Sequence, residues 1–383
     1  MAAQTGCRPE LAQIFRAHAP PLEQLGRDRR RVVQDVMLCR TPLLGGHLQV
    51  CDQCGREKPF YNSCRNRHCP KCQSLEQARW VEAQTRSLLP VPYFHLVFTV
   101  PPALHPFFVA DRRGSYAQLF EAAVGALHAV CQRRLGAIPG TIAVLHTWSQ
   151  TLAFHPHIHC IVTGGGLSAA RDRWIAARPG FLVPVRALSR VFRGKLLESL
   201  EHGLVAHSAG IGSTLGAQLL KQAAAKDWVV YSKAPIAGPA QVLRYLGRYT
   251  QRIAIGNERL VALQHGRVTF HYRARRRANK KGLLTLDAPL FVRRFLQHVL
   301  PRGFVRVRHF GLQANGCRRQ LLARARQLLG SPAPPAPDVA LRESWQHLLQ
   351  RLTGRDPNLC PYCERGFLRV VASTRPAQHT RGP

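Results

Sequence analysis

Two runs rich in β-branched residues, 141–152 and 157–163, are joined by a short turn and read as an antiparallel hairpin. Around them the period changes to that of helices. Residues 9–38 read as one or two helices with Arg-rich exposed faces, 73–89 as another, and 115–135 as a longer one with an aliphatic stripe. "YFHLVFTV", 93–100, reads as a buried strand, and a Gly-rich turn is expected after the hairpin. Further on, "FLVPVRALSRVFRGKLLESL" gives an extended piece and a helix, "LGAQLLKQAAAKD" a helix, and "WVVYSK" a strand. "GPAQVLRYLGRYTQR" is a helix entered through Pro239, and "RLVALQ" and "RVTFHYR" are strands. Residues 331–383 are Pro- and Arg-rich and weakly patterned except for "CPYC".

Charge narrows what such a chain does. Fifty-five Lys and Arg against twenty Asp and Glu leave a net charge of +35 over 383 residues. A GC-rich genome accounts for Arg in place of Lys but not for so few acidic residues, so the excess points to a polyanion, nucleic acid above all. Residues 88–110 contain no Asp, Glu, Lys or Arg, yet five prolines and two histidines argue against a membrane helix. The first residues show no apolar signal core. A soluble cytoplasmic protein is expected, with thiols that serve metals rather than disulfides.

"CDQCGREKPFYNSCRNRHCPKC" places Cys51-x2-Cys54 fourteen residues before Cys69-x2-Cys72. Two such knuckles suit one tetrahedral four-sulfur structural zinc, and neither has the βαβ context of a redox dithiol. Cys39, His47, Cys64 and His68 are further ligand types, either for a second site or in place of members of the first. Cys360-x2-Cys363 is half a site without an evident partner.

His157 and His159 alternate on a strand and so share a face, while Ile158 points away. They could be a hydrogen-bonded core pair, or two ligands of a divalent cation. A hairpin turn at 153–155 would place Gln150 and His146 on the same face, with Gln150 the nearer third ligand. Tyr245 and Tyr249 stand one helical turn apart beside Arg244 and Arg248. That spacing is either an amphipathic stripe or a pair of nucleophiles. With a metal to polarise a phosphate, a tyrosine oxygen could attack phosphorus and displace a 3′-hydroxyl, conserving the bond energy.

"YNSCRNRHCPKCQ", "PYFHLVFTVP", "HPHIHCIVTGGGL" and "YLGRYTQRIAI", in unbroken order from Arg30 to Asn315, resemble the rolling-circle two-tyrosine transposases of the insertion sequence 91 family. These belong to the nucleases named for a His-hydrophobic-His motif. The resemblance implies an α+β chain: an N-terminal zinc-binding domain, then an antiparallel-sheet nuclease core with flanking helices. Boundaries of 1–90, 91–315 and a basic tail over 316–383 follow. It also implies His157 and His159 as ligands of Mg²⁺ or Mn²⁺, and Tyr245 and Tyr249 as nucleophiles, Tyr249 first. The expected product is cleaved and rejoined single-stranded DNA at element ends, through a 5′-phosphotyrosine, in bacterial cytoplasm at the nucleoid.

Arg273, Arg275, Arg276, Arg277, Lys280 and Lys281 of "RARRRANKKG" are expected phosphate contacts, or else a solvated basic loop. Two other readings compete: an inert zinc-dependent DNA-binding protein, and a plasmid replication initiator or relaxase. The absence of a GxxxxGK[ST] motif disfavours the latter. A three-carboxylate transposase is disfavoured because residues 91–170 hold only Asp111 and Glu121 as acids.

Overall fold

The computed structural model describes residues 8–72, 74–206, 210–233, 247, 253–274, 280–331 and 343–376. The fold is α+β with antiparallel sheets, and the chain divides into two compact units. The first comprises Met1–Arg79, Gln251–Val299 and Pro335–Pro383; the second comprises Trp80–Thr250 and Leu300–Pro334. Strands are numbered along the chain.

In the first unit, β1 (Gly46–Cys51) lies between β2 (Glu57–Tyr61) and β12 (Leu368–Thr374), antiparallel to both. The tail, weakly patterned in sequence, therefore supplies a strand, and before it a helix, Trp345–Thr353. A second sheet of the same unit joins β8 (Leu260–Gln264), β9 (Arg267–Ala274) and β10 (Lys280–Asp287). Contiguous domains would put 251–299 with the nuclease core, but the segment packs on the amino-terminal helices instead. Phe295, on the helix Ala288–Leu296, meets Phe15 edge-on at 5.3 Å, and Asn257 Oδ1 accepts from the Leu11 amide at 3.1 Å.

The second unit is built on one sheet. Its order is β11 (Val307–Phe310), β4 (Ile138–Trp148), β5 (Phe154–Leu167), β3 (Tyr93–Thr99) and β7 (Val230–Lys233), with β6 (Trp174–Ala176) added beside β5. Both faces are covered, which is why β4 and β5 read as nearly continuous apolar runs. On one face Leu96, Phe98, Ile158 and Cys160 are fully buried, and Phe98 meets Phe192 of the helix Val185–Val205 at 5.1 Å. On the other face Tyr93, Ile142, Val144 and Ile161 pack with Leu322 and Ala325 of the helix Arg318–Leu328.

The helix expected at 115–135 runs Arg112–Leu135. Asp111 caps it by accepting from the Gly114 amide at 2.9 Å, and Gly136 ends it in the left-handed conformation. Asp111 thus has a structural task. The Gly-rich run expected as a turn lies inside β5. A side chain at Gly164 or Gly166 would come within 2.8 Å of the Pro92 carbonyl oxygen or 2.5 Å of that of Ile138. No helix among the described residues is long and apolar enough to cross a membrane.

Candidate active site and metal centres

The register of the β4–β5 hairpin sets His146 directly opposite His157 and Val144 opposite His159. Opposed residues share a face, so His146, His157 and His159 project together at the end of the face that carries Ile142 and Ile161. All three are buried, and one ring nitrogen from each lies within 4.8 Å of the others. The ring centroids are 4.4 Å apart for His146–His159 and 4.9 Å for His157–His159.

Backbone and a neighbouring ring engage one nitrogen each of His157 and His159. His157 Nδ1 is 2.6 Å from the His155 carbonyl oxygen, which can only accept, so Nδ1 carries the proton and Nε2 the lone pair. His159 Nδ1 lies 2.8 Å from His95 Nε2, and these two rings stack at 5.1 Å. His95 comes from β3, diagonal to His159 in the ladder. Burial, with Lys233 nearby, pushes His95 down to about 4, so it stays neutral near pH 7. Imidazoles held through one nitrogen and presenting the other are how metal-binding histidines are oriented. The donor set fits a divalent cation.

His146 groups with His157 and His159, while Gln150, expected as the third ligand, lies in the turn beyond the strand. The hairpin turns earlier than 153–155, with the Ser149 and Ala153 backbones bonded at 3.0 Å and Leu152 at φ 60. β4 ends at Trp148, so Gln150 sits in the turn and not on the strand face. Trp148 stacks on His146 at 4.7 Å, and the buried Arg306 guanidinium lies 5.8 Å over the Trp148 ring. Neither Arg306 nor His95 stood out in the sequence, since nothing local marks a residue that reaches the site from another strand.

Tyr245, Tyr249, Arg244, Arg248, Arg275, Arg276 and Arg277 lie outside the described residues. Arg273 and Lys281 face each other across the β9–β10 ladder, both exposed, and Lys280 opens β10. This basic hairpin belongs to the first unit, whereas the histidines belong to the second.

The cysteines do not converge as one site. Cys69 and Cys72 meet Cys39 and Cys64, whereas Cys51 and Cys54 meet Cys360 and Cys363. The reason is β1. A six-residue strand, at a rise of about 3.3 Å per residue, keeps its ends roughly 17 Å apart. Gly46, paired with Tyr61 just before Cys64, is at one end and Cys51 at the other. His68 is not in either cluster; its amide and Nδ1 both lie 2.9 Å from Asn66 Oδ1. In the first cluster Cys72 Sγ is 3.5 Å from Cys39 Sγ and 3.7 Å from Cys64 Sγ. Zinc–sulfur bonds of about 2.3 Å at tetrahedral angles require sulfurs about 3.8 Å apart, so these thiols are spaced for the metal. All the described cysteines are free. Hydrogen bonds from Cys39 and Cys64 hold Cys72 far below the ordinary thiol range.

A thiolate-built module in a strongly basic chain, with a histidine cluster on a separate sheet, defines a zinc-binding protein that acts on nucleic acid. The chain matches a family described as "Transposase zinc-binding domain" over residues 10–100, and one described as "Putative transposase" over 140–320. It is 43% identical over 377 residues to "Putative transposase y4qJ" of Sinorhizobium fredii, covering 95% of each chain. It is 28% identical over 360 residues to "Transposase for insertion sequence element IS801" of Pseudomonas savastanoi pv. phaseolicola, covering 89% of this chain and 83% of that one. No solved structure matches it. The chain belongs to the insertion sequence 91 family of transposases, enzymes that cleave DNA, and it carries that family's zinc-binding domain.

Proposed function

We propose that this transposase cleaves and rejoins single-stranded DNA at the ends of its element by a rolling-circle route, through a covalent 5′-phosphotyrosine. The observation that carries the reading is the orientation of the histidines. His157 Nδ1 meets the His155 carbonyl and His159 Nδ1 meets His95, which leaves each ring its Nε2 to offer, and one ring nitrogen from each of His146, His157 and His159 lies within 4.8 Å of the others. A divalent cation held on His146, His157 and His159 would polarise the scissile phosphate and offset charge on its non-bridging oxygens. An all-imidazole set suits a transition-metal ion better than Mg²⁺, so Mn²⁺ is the ion to test first.

In this scheme the Tyr249 hydroxyl oxygen bonds to phosphorus while the P–O3′ bond breaks. The phenolic proton is lost, and the 3′-hydroxyl leaves protonated. Tyr245, four residues earlier in the sequence, makes the second attack on the second strand end, so each broken phosphodiester is stored as a phosphotyrosine and recovered on rejoining. Arg244 and Arg248 would favour the phenolate, whose ordinary value near 10 otherwise makes it a weak nucleophile. Arg273, Lys281 and the rest of their hairpin would bind phosphates without reading bases.

The test is adduct formation by His157→Ala/His159→Ala on labelled single-stranded oligonucleotides from the element ends. SDS-resistant adduct should vanish while DNA affinity stays close to wild type, because phosphate contacts elsewhere supply most of it. Undiminished adduct in the double variant would show that the histidines are structural.

A further inference from the structure

We infer that Cys51, Cys54, Cys360 and Cys363 hold a second structural zinc ion, which ties the amino-terminal hairpin to the carboxyl-terminal segment of the chain. The family zinc-binding match ends at residue 100 and so contains only half of this site. Cys51 Sγ is 3.7 Å from Cys363 Sγ and Cys54 Sγ is 3.8 Å from Cys360 Sγ. Those separations are what a tetrahedral zinc with bonds of about 2.3 Å requires, and far too long for a disulfide.

The two halves are built alike. In each, a residue with positive φ follows the second cysteine: Gly55 at φ 68 and Glu364 at φ 54. Each also turns amides onto its sulfurs, from Gln53 and Cys54 to Cys51 Sγ at 3.4 and 3.5 Å, and from Gly366 to Cys363 Sγ at 3.4 Å. Amides aimed at sulfur favour the thiolate, the form that binds metal.

Contacts around the sulfurs join the same two segments. Cys51 faces Leu368 in the β1–β12 ladder, the Phe367 amide donates to Asp52 Oδ1 at 2.7 Å, and Arg369 pairs with Asp52 at 3.4 Å. Gly366 sits so close that a Cβ there would be 2.5 Å from Cys51 Sγ. The carboxyl-terminal segment is therefore a component of the zinc module rather than an appendage, and β1 becomes an edge strand without it. Four thiolates also suit iron, but the site is independent of the proposed strand-transfer chemistry and metal analysis settles its occupant.

Full-length protein in which His157→Ala/His159→Ala removes the imidazole site from the count, in every variant alike, is purified under reducing conditions from zinc-supplemented cells and is expected to hold two zinc ions per chain. Cys360→Ser/Cys363→Ser should hold one, and so should Cys39→Ser/Cys64→Ser. X-ray absorption at the zinc edge of this His157→Ala/His159→Ala protein should give four sulfur neighbours per ion. A count of one zinc in that protein with its cysteines intact overturns the inference whatever the cysteine variants do. So does a Cys360→Ser/Cys363→Ser variant that keeps two zinc ions, or iron in place of the second.

Discussion

Replacing His95 with Phe tests the histidine site without touching a proposed ligand. Phe keeps the ring that stacks on His159 at 5.1 Å but removes the Nε2 that lies 2.8 Å from His159 Nδ1. For His159 to present an Nε2 lone pair, its Nδ1 must carry the proton and His95 must accept it. His159 is 7% exposed, so taking that acceptor away from a buried N–H costs about 1–3 kcal/mol. The alternative tautomer relieves the N–H but turns a proton toward the metal position. Either way the loss is felt as metal affinity, by about 10- to 100-fold, or roughly 1.4–2.8 kcal/mol. The assay is the Mn²⁺ concentration for half-maximal cleavage of a labelled single-stranded oligonucleotide, with Mn²⁺ binding followed independently by electron paramagnetic resonance. The midpoint should rise in His95→Phe, the rate at saturating Mn²⁺ should change little, and His95→Gln, which restores an acceptor, should recover part of the loss. An unchanged midpoint in a folded His95→Phe protein would show that His95 does not orient His159 for metal.

Three further outcomes follow from other parts of the molecule. Phe98 is fully buried against Phe192, and Phe98→Ala should destabilise the second unit by about 3–5 kcal/mol in urea unfolding. Burial pushes His128 down to about 4, below its unfolded value near 6.5, so the unfolded chain binds the proton first. The stability it contributes is fully present above pH of about 6.5 and is lost toward pH of about 4, at about 1.4 kcal/mol per pH unit; His128→Leu should flatten the measured slope by that amount. Arg273→Ala/Lys281→Ala should reduce the slope of log affinity for single-stranded DNA against log salt by about 1.4, seen by fluorescence anisotropy, and an unchanged slope would place the hairpin off the DNA path.

Local pattern carried the hairpin, the helix from Arg112 to Leu135 and the cysteine knuckles, because each is written within a few consecutive residues. The third member of the histidine cluster was harder. Gln150 and His146 both met the parity rule, and only the position of the turn separates them; an irregular register between His146 and Trp148 sets that position. Pairing of the cysteines was less legible still. Spacing joins Cys51–Cys54 to Cys69–Cys72, but the length of β1 forbids it, and the true partners lie about 300 residues along the chain. The glycines of β5 read as a turn because nothing in their own segment shows Pro92 and Ile138 pressing on them.

Passage of the reaction through tyrosine is read out by mapping the covalent adduct. Wild-type protein is incubated with a labelled single-stranded element end and Mn²⁺, the SDS-resistant species is digested, and the modified peptide is sequenced by mass spectrometry. The expected product is a 5′-phosphotyrosine on Tyr249, or on Tyr245 in Tyr249→Phe, and no adduct forms with the double Phe variant, which should still bind the DNA. An adduct that survives in the double variant, mapping to Tyr231, Tyr272 or elsewhere, would contradict the assignment of the nucleophiles. No adduct from wild type with Mn²⁺ or Mg²⁺ would contradict the strand-transfer chemistry itself.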